Sequence, residues 1–323
     1  MVLVTGASGF LGGELVKQLV ANGETARIIV RKSSQISHLK SIIHQIDVVE
    51  ADILDVPSLE IAFEGIEKIY HSAAIIGYDE SYYDAMYKTN IEGTANVVNV
   101  ALAKNVKKLL HVSSIAAIGG KPNELITEET KWEKNQWITH YGITKMLAER
   151  EIWRGISEGL DAVIVNPGII IGVGNDEHKS LIQLFKRIAT QKMPFYTNGT
   201  NGFIDVEDVA KASILLMNSE LKSERYILIN ENISFKNYFE KIAKVLNVEA
   251  PKKALNKTNG NLFVFLDWLS SKLTNKKRGL TKENLKVSLE EFSYSNQNIK
   301  KQLNFDFIDF DETIRKIAST VKK

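Results

Sequence analysis

The sequence predicts an α/β protein built on a doubly wound parallel sheet, followed by a smaller, mainly helical lobe. Three observations carry that expectation. Short apolar runs alternate with helix-like stretches through the first half of the 323 residues. Those runs lack polar alternation, as strands covered on both faces do. After about residue 168 the alternation gives way to helical spacing.

The elements follow in order. Val2–Thr5 is a β-rich start, and Phe10–Ala21 has helical spacing at Leu11, Leu15, Leu19 and Val20. Further strand-like runs are Ala26–Val30, Asp47–Glu50, Ile66–His71, Leu109–Ser113 and Ala162–Asn166. Strands separated by helices imply parallel pairing and right-handed crossovers. Helical stretches in the second half are Ser180–Thr190, Val206–Asn218, Phe235–Val245 and Asp309–Val321. Ser219–Ser223 and Pro251–Gly260 read as loops, and the basic run Lys272–Arg278 as a solvated helix end.

Composition narrows the function. There are 41 basic and 39 acidic side chains, a net charge of +2. Such balance gives no electrostatic reason to expect nucleic acid or a membrane surface as partner. With no cysteine, disulfides, thiolate zinc sites and cysteine nucleophiles are excluded. The six histidines are scattered, and no pair has metal-ligand spacing. No apolar run is long enough to span a bilayer, and the start has no signal-peptide pattern. A cytoplasmic location is the expectation.

Thr5-Gly6-Ala7-Ser8-Gly9-Phe10-Leu11-Gly12 lies between the first strand and the first helix. A turn this tight needs residues without Cβ. The glycines let backbone approach a pyrophosphate, and the helix N-terminus offers N–H donors and a positive dipole end. Gly6, Ser8, Gly9, Phe10, Leu11 and Gly12 are therefore candidate dinucleotide-binding residues. The expected division is a Rossmann-type domain over 1–168 and a mainly substrate-binding lobe over 169–323, some of whose segments return to the first domain.

The Gly-x-x-Gly-x-x-Gly spacing, with Thr5 before it, resembles the extended short-chain dehydrogenase/reductase family, whose members include NAD-dependent epimerases and dehydratases. In pattern it is most similar to the dihydroflavonol reductase-like aldehyde and ketone reductases. The resemblance covers nearly the whole chain.

The second strand ends in Arg31-Lys32 rather than in the Asp or Glu that usually holds the ribose 2′-hydroxyl of NAD. A guanidinium grips a 2′-phosphate and stacks on adenine. The expected cofactor is NADP(H), with NAD as the alternative. The resemblance implies that Asp52 and Ile53 contact the adenine. Ala73 and Ala74 would let the cofactor cross the strand ends. Asn166-Pro167-Gly168 would form a turn beside the nicotinamide, walled by Ile169 or Ile170. His71 reads as a satisfied core histidine.

A catalytic set follows. Ser113-Ser114 ends the fifth strand, and Tyr141-Gly-Ile-Thr-Lys145 opens a later helix. Tyr141 and Lys145 are four apart and share one helical face. A phenol is a poor acid or base near neutrality, and an adjacent ammonium favours its phenolate. In this reading Lys145 also holds the nicotinamide ribose hydroxyls. Ser114 orients a carbonyl and Tyr141 exchanges the proton. The resemblance places the serine at Ser114, with Ser113 as the fallback. Tyr82, Tyr83 and Tyr87 read as helix-packing or substrate-rim residues.

Asn90-Ile-Glu-Gly-Thr-Ala-Asn96 resembles a family segment with a supporting role, its polar side chains buried and needing partners. Phe203–Ala210 resembles another, in which an acidic residue caps the next helix.

Candidate substrate-lining residues are Ile75–Tyr78, the stretch from Ile118 to Trp137, and Phe195, Tyr196 and Phe203. They suit a small apolar or ring-containing carbonyl compound. The expected activity is therefore hydride transfer between NADP(H) and a carbonyl or alcohol. An epimerase or dehydratase acting on a sugar nucleotide is the alternative. It needs cations for a diphosphate, which Lys179, Lys186, Arg187, Arg225 or Arg278 could supply. A non-catalytic NADP-binding regulator is the third reading. By analogy with the family, the expectation is a homodimer through two long helices per subunit, with the stretches near Asp79–Lys104 and Thr139–Glu158 as candidates.

Overall fold

The computed structural model describes residues 1–174, 179–274 and 281–321. Its centre is a seven-stranded sheet: β1 (Val2–Thr5), β2 (Ala26–Val30), β3 (Ile46–Glu50), β4 (Lys68–His71), β5 (Lys108–Val112), β6 (Ala162–Pro167) and β7 (Glu224–Leu228). The spatial order is β7-β6-β5-β4-β1-β2-β3, and every pairing is parallel. The order reverses between β1 and β4, the switch point at which such sheets open a ligand crevice.

Side chains along a strand alternate between two helical layers. Leu110 and Val112 of β5 join the layer containing α1 (Phe10–Ala21) and the helix Val206–Met217. Leu109 joins the opposite layer, with the helices Val56–Ala62, Gly93–Ala103 and His140–Ser157. Covering both faces is what makes the strands apolar throughout in sequence.

The second lobe is built around a three-stranded sheet of Ile169–Ile171, Thr200–Asp205 and Glu231–Ser234. The chain between Val206 and Leu228 leaves it to add a helix and the edge strand β7 to the main sheet. Phe203, Tyr238 and Phe310 pack together as the lobe's core. No helix among the described residues is long and apolar enough to cross a membrane.

Two segments differ from the sequence reading. Pro251–Gly260 is not a loop, because Lys253–Leu255 pairs with Phe195–Thr197 and a helix runs over Lys257–Thr274. Its polar surface hides it from periodicity. The stretch Asp79–Lys104 is not one α-helix either. It opens with a 3₁₀ turn at Glu80–Tyr82, and a π-helical segment spans Tyr87–Glu92. Such insertions re-aim side chains and cluster at functional sites.

Candidate active site

The glycine turn shows its purpose in what a Cβ would meet. Gly6 has φ +74°, and a Cβ there would lie 2.7 Å from the Ala73 amide nitrogen. A Cβ at Gly12 would penetrate the Gly6 carbonyl. These two residues let the turn press onto β4 and the helix onto the turn. Gly9 is different: a Cβ there would meet the Gly6 oxygen at 3.2 Å and nothing else. Gly9 is the N-cap of α1, offers no side-chain cap, and no acidic residue follows in the first turn. The uncapped dipole end and the open face at Gly9 fit a pyrophosphate. Leu11 is buried in the core, while Ser8 and Phe10 stay at the rim.

The remaining sequence-predicted cofactor residues lie at or just beyond the C-terminal ends of β2, β3, β4 and β6. Thr5 Oγ1 accepts from the Ala73 amide at 3.1 Å, tying the ends of β1 and β4 together. Ala74 is exposed just beyond. Arg31 and Lys32 are exposed past the end of β2, where the chain turns through mutual bonds between Arg31 and Ser34. Asp52 is half-buried and uses one carboxylate oxygen to accept from the Leu54 amide at 2.9 Å. Ile53 packs on Gly93 in the core, so its first duty is structural. Pro167 is buried, and Gly168 approaches Gly202 so closely that a Cβ would not fit. Ile169 and Ile170 pair with Phe203 and Ile204 in the lobe's sheet.

Ser114, Tyr141 and Lys145 come together above the end of β5. Ser114 ends the strand in extended backbone, and its hydroxyl accepts from the Ala116 amide at 3.2 Å. The same hydroxyl lies close enough to the Tyr141 phenol to oppose the rise of its pKa. Ser113 instead points into the interior beside Glu149. Thr139 caps the tyrosine helix by accepting from the Gly142 amide at 2.9 Å. Gly142 lies so near the Ala116 carbonyl that only glycine allows the serine turn to approach.

Lys145 is 1% exposed, and its Nζ donates to the Val112 carbonyl at 2.8 Å. Burial pulls its pKa down to about 8, opposed by the Glu149 carboxylate. Burial also pushes the Tyr141 phenol upward, helped by the Tyr78 ring hydroxyl and opposed by the Ser114 hydroxyl. The ammonium is thus turned to β5, and desolvation, not Lys145, dominates the phenol's acidity here.

Behind these residues lies a set of buried polar groups. The single Thr94 hydroxyl proton goes to the Asn90 carbonyl, so His71 Nε2 must be the donor to Thr94, at 2.9 Å, and Nδ1 of the neutral ring accepts from Thr5 Oγ1 at 2.8 Å. One tautomer satisfies the whole chain. Burial, with Lys145 adding to it, lowers the His71 pKa to about 3. His71 is therefore a neutral, satisfied core histidine. Asn90, in the π segment, holds the Ile75 backbone from both sides and donates to Thr144 on the tyrosine helix. Asp205 caps the helix Val206–Met217 by accepting from the Glu207 amide.

A cavity of about 590 Å³ opens beside Tyr141. Tyr78, edge-on to the Tyr141 ring at 6.3 Å, forms one wall, and Tyr83 stacks on His140 at 3.8 Å on another. The far wall is Val264, Phe265 and Trp268, with Glu283 and Lys282 at one end. Sequence reasoning missed this wall. The apolar cluster from Leu262 to Leu269 was its available signal. Phe203, expected in the lining, is instead buried in the lobe's core. Trp132 and Trp137 anchor loops, against Gly119 and the Ile118 cluster.

The diphosphate candidates divide. Arg225 is not available: it pairs with Glu149 at 3.4 Å and donates to the Glu128 carbonyl at 2.7 Å, inside the protein. Lys186 and Arg187 are exposed on their helix. Arg278, like 175–178, lies outside the described residues. Among the described residues no cluster could hold a metal ion.

Comparison with known proteins shows the family. Residues 2–229 match the model of the NAD dependent epimerase/dehydratase family. Cinnamoyl-CoA reductase 1 of Petunia hybrida is 32% identical over 242 residues, covering 70% of this chain and 72% of that one. A putative dihydroflavonol 4-reductase of Synechocystis is 31% identical over 257 residues, covering 78% and 74%. The crystal structure of gox2253 superposes with a TM-score of 0.85 over 100% of this chain and 98% of that one, at 26% identity. The chain belongs to the NAD-dependent epimerase/dehydratase family, the extended short-chain dehydrogenases and reductases, and is an NAD(P)-dependent enzyme of that type.

Proposed function

We propose that this enzyme reduces the carbonyl of a small apolar or ring-containing compound with NADPH. The observation that carries the reading is the meeting of Ser114, Tyr141 and Lys145 next to an aromatic-walled cavity, one of whose walls, Tyr78, packs edge-on to Tyr141. A reduced nicotinamide, when bound along the crevice, supplies hydride. Ser114 holds the carbonyl oxygen. Tyr141 gives its phenolic proton to that oxygen. Lys145 has one acceptor, Val112, and spare donors to bind ribose hydroxyls and favour the phenolate left behind. Tyr78 and the wall of Phe265 and Trp268 orient the ring of the substrate.

Two features favour reduction over sugar-nucleotide epimerisation. Arg225 is internally paired, which removes one diphosphate candidate. Arg31 and Lys32 are exposed just past the end of β2, which leaves their charges available to a 2′-phosphate. The relatives named as cinnamoyl-CoA and dihydroflavonol 4-reductases agree in reaction class.

Turnover of a panel of aromatic aldehydes and ketones with NADPH and NADH tests the reading. NADPH is expected to be preferred. Arg31→Ala is expected to weaken NADPH binding by about 10- to 100-fold, since a charge-assisted bond contributes about 1.5–3 kcal/mol, and to leave NADH unchanged. Stoichiometric NAD released on denaturation, with no reductase activity, would establish an epimerase instead.

A further inference from the structure

Behind Lys145 the protein buries a full ion pair, which is a costly thing to place there. Glu149 is 2% exposed and Arg225 is largely buried. An apolar pair of equal volume would commonly hold the strand and helix together as well or better. Lys145 gives the pair a purpose. Its ammonium is buried and bonded to one neutral carbonyl, and a buried cation without countercharge tends to lose its proton.

Glu149 lies one turn beyond Lys145 on the face that also carries Tyr141. Its two oxygens are assigned: Oε1 accepts from Asn166 Nδ2 at 2.5 Å, and Oε2 pairs with Arg225. Asn166 in turn donates to the Ser114 carbonyl at 2.9 Å. Arg225 is locked by the Glu128 and Thr130 carbonyls. One carboxylate therefore links the serine strand, the tyrosine helix and the edge strand β7.

We propose that Glu149, held ionised by Arg225 and oriented by Asn166, is a positioning residue that keeps Lys145 charged and seated on the face of Tyr141. The proposal rests on the reading of Tyr141 and Lys145 as catalytic. The groups around Lys145 leave Glu149 as its countercharge. His71 on β4 and His111 on β5 are held neutral by burial, the Lys145 charge adding to that, so neither supplies a charge to Lys145. Tyr141 is held as the neutral phenol. Glu128, on the far side of Arg225, is tied to the Ile227 amide. Burial raises Glu149 itself, and Arg225, Asn166, Ser113 and Lys145 oppose that rise.

The test follows the Lys145 side-chain carbon resonance against pH in the cofactor-free protein. The signal is assigned by its loss in Lys145→Met. Glu149→Gln keeps an oxygen for Asn166. It is expected to move the Lys145 titration down by about 1 pH unit or more and to move the alkaline limb of kcat equally. Arg225→Gln is expected to act in the same direction, and Glu149→Asp to restore part of the shift. Uniform loss of kcat with an unmoved titration in both Glu149→Gln and Arg225→Gln would overturn the proposal and leave a structural clamp. Should Glu149→Gln fail to fold, Arg225→Gln carries the same readout. Tyr141→Phe separates the two readings. Its full activity would sink the catalytic assignment itself. Its inactivity beside an unmoved Lys145 titration would sink only the role of Glu149.

Discussion

The two sides of the candidate site are built differently. On the sheet side, Ser114, Tyr141 and Lys145 are fixed by backbone and by buried polar partners. Thr139 caps the helix, Asn90 ties it to the loop after β4, and Asn166 ties it to the serine strand. On the lobe side, the cavity wall is one helix, Lys257–Thr274, whose Phe265 and Trp268 are 54% and 41% exposed. The first side is pre-organised and expensive to alter. The second is apolar, open and cheap to alter. In the proposed reading, chemistry is held in the rigid half and selection among substrates falls to the loose one.

Breaking the rigid side has the largest expected effect. Tyr141→Phe removes the proton donor while keeping the ring, and should lower kcat by about 10²–10⁴-fold with little change in Tm. Gly12→Ala forces a Cβ into the Gly6 carbonyl. It should destabilise the fold by about 1–3 kcal/mol and weaken dinucleotide binding, both read by thermal melts with and without NADPH.

Acid sharpens the contrast, because the rigid side depends on neutral histidines. Their folded pKa values lie below the unfolded value, His71 at about 3 and His111 also well below normal. The unfolded chain therefore takes up protons first as pH falls below about 6.5. Stability is complete above that pH and should drop by about 1.4 kcal/mol per pH unit for each histidine. His111 has no hydrogen-bond partner on either ring nitrogen among the described residues. His111→Leu should accordingly raise Tm more at pH 5 than at pH 7.5. Equal shifts at both pH values would contradict the account.

The smallest effect is expected on the open side. Trp268→Ala should raise KM for an aromatic substrate several-fold, on the order of 1 kcal/mol for a partly exposed ring. Both kcat and Tm should stay near wild type. A fall in kcat matching that of Tyr141→Phe would show that the two sides are not separable.

How much of this was legible depended on distance along the chain. Strand runs, the glycine turn and the Tyr141–Lys145 spacing are local patterns, each spanning a few residues. Ser114 was separable from Ser113 only by resemblance. The structure adds a reason, since the pleat sends Ser113 inward to Glu149 and leaves Ser114 at Tyr141. Arg225 was misjudged as a possible diphosphate ligand because an arginine in sequence shows charge but not partner. Its partner, Glu149, is 76 residues away. The π segment at Tyr87–Glu92 has no local signature, because Asn90 and the tertiary bonds it makes accompany the extra residue in the turn.

The sequence by itself determined the parallel doubly wound sheet, the place of the dinucleotide turn and the order of the proposed catalytic residues. Period, glycine position and four-residue spacing are properties of short stretches, governed by backbone sterics. Only the tertiary structure decided that His71 is neutral, that Glu149 and Arg225 stand behind Lys145, and that Val264, Phe265 and Trp268 close the cavity. Desolvation and charge pairing depend on what surrounds a group in space, and those neighbours come from strands and helices far apart in the chain.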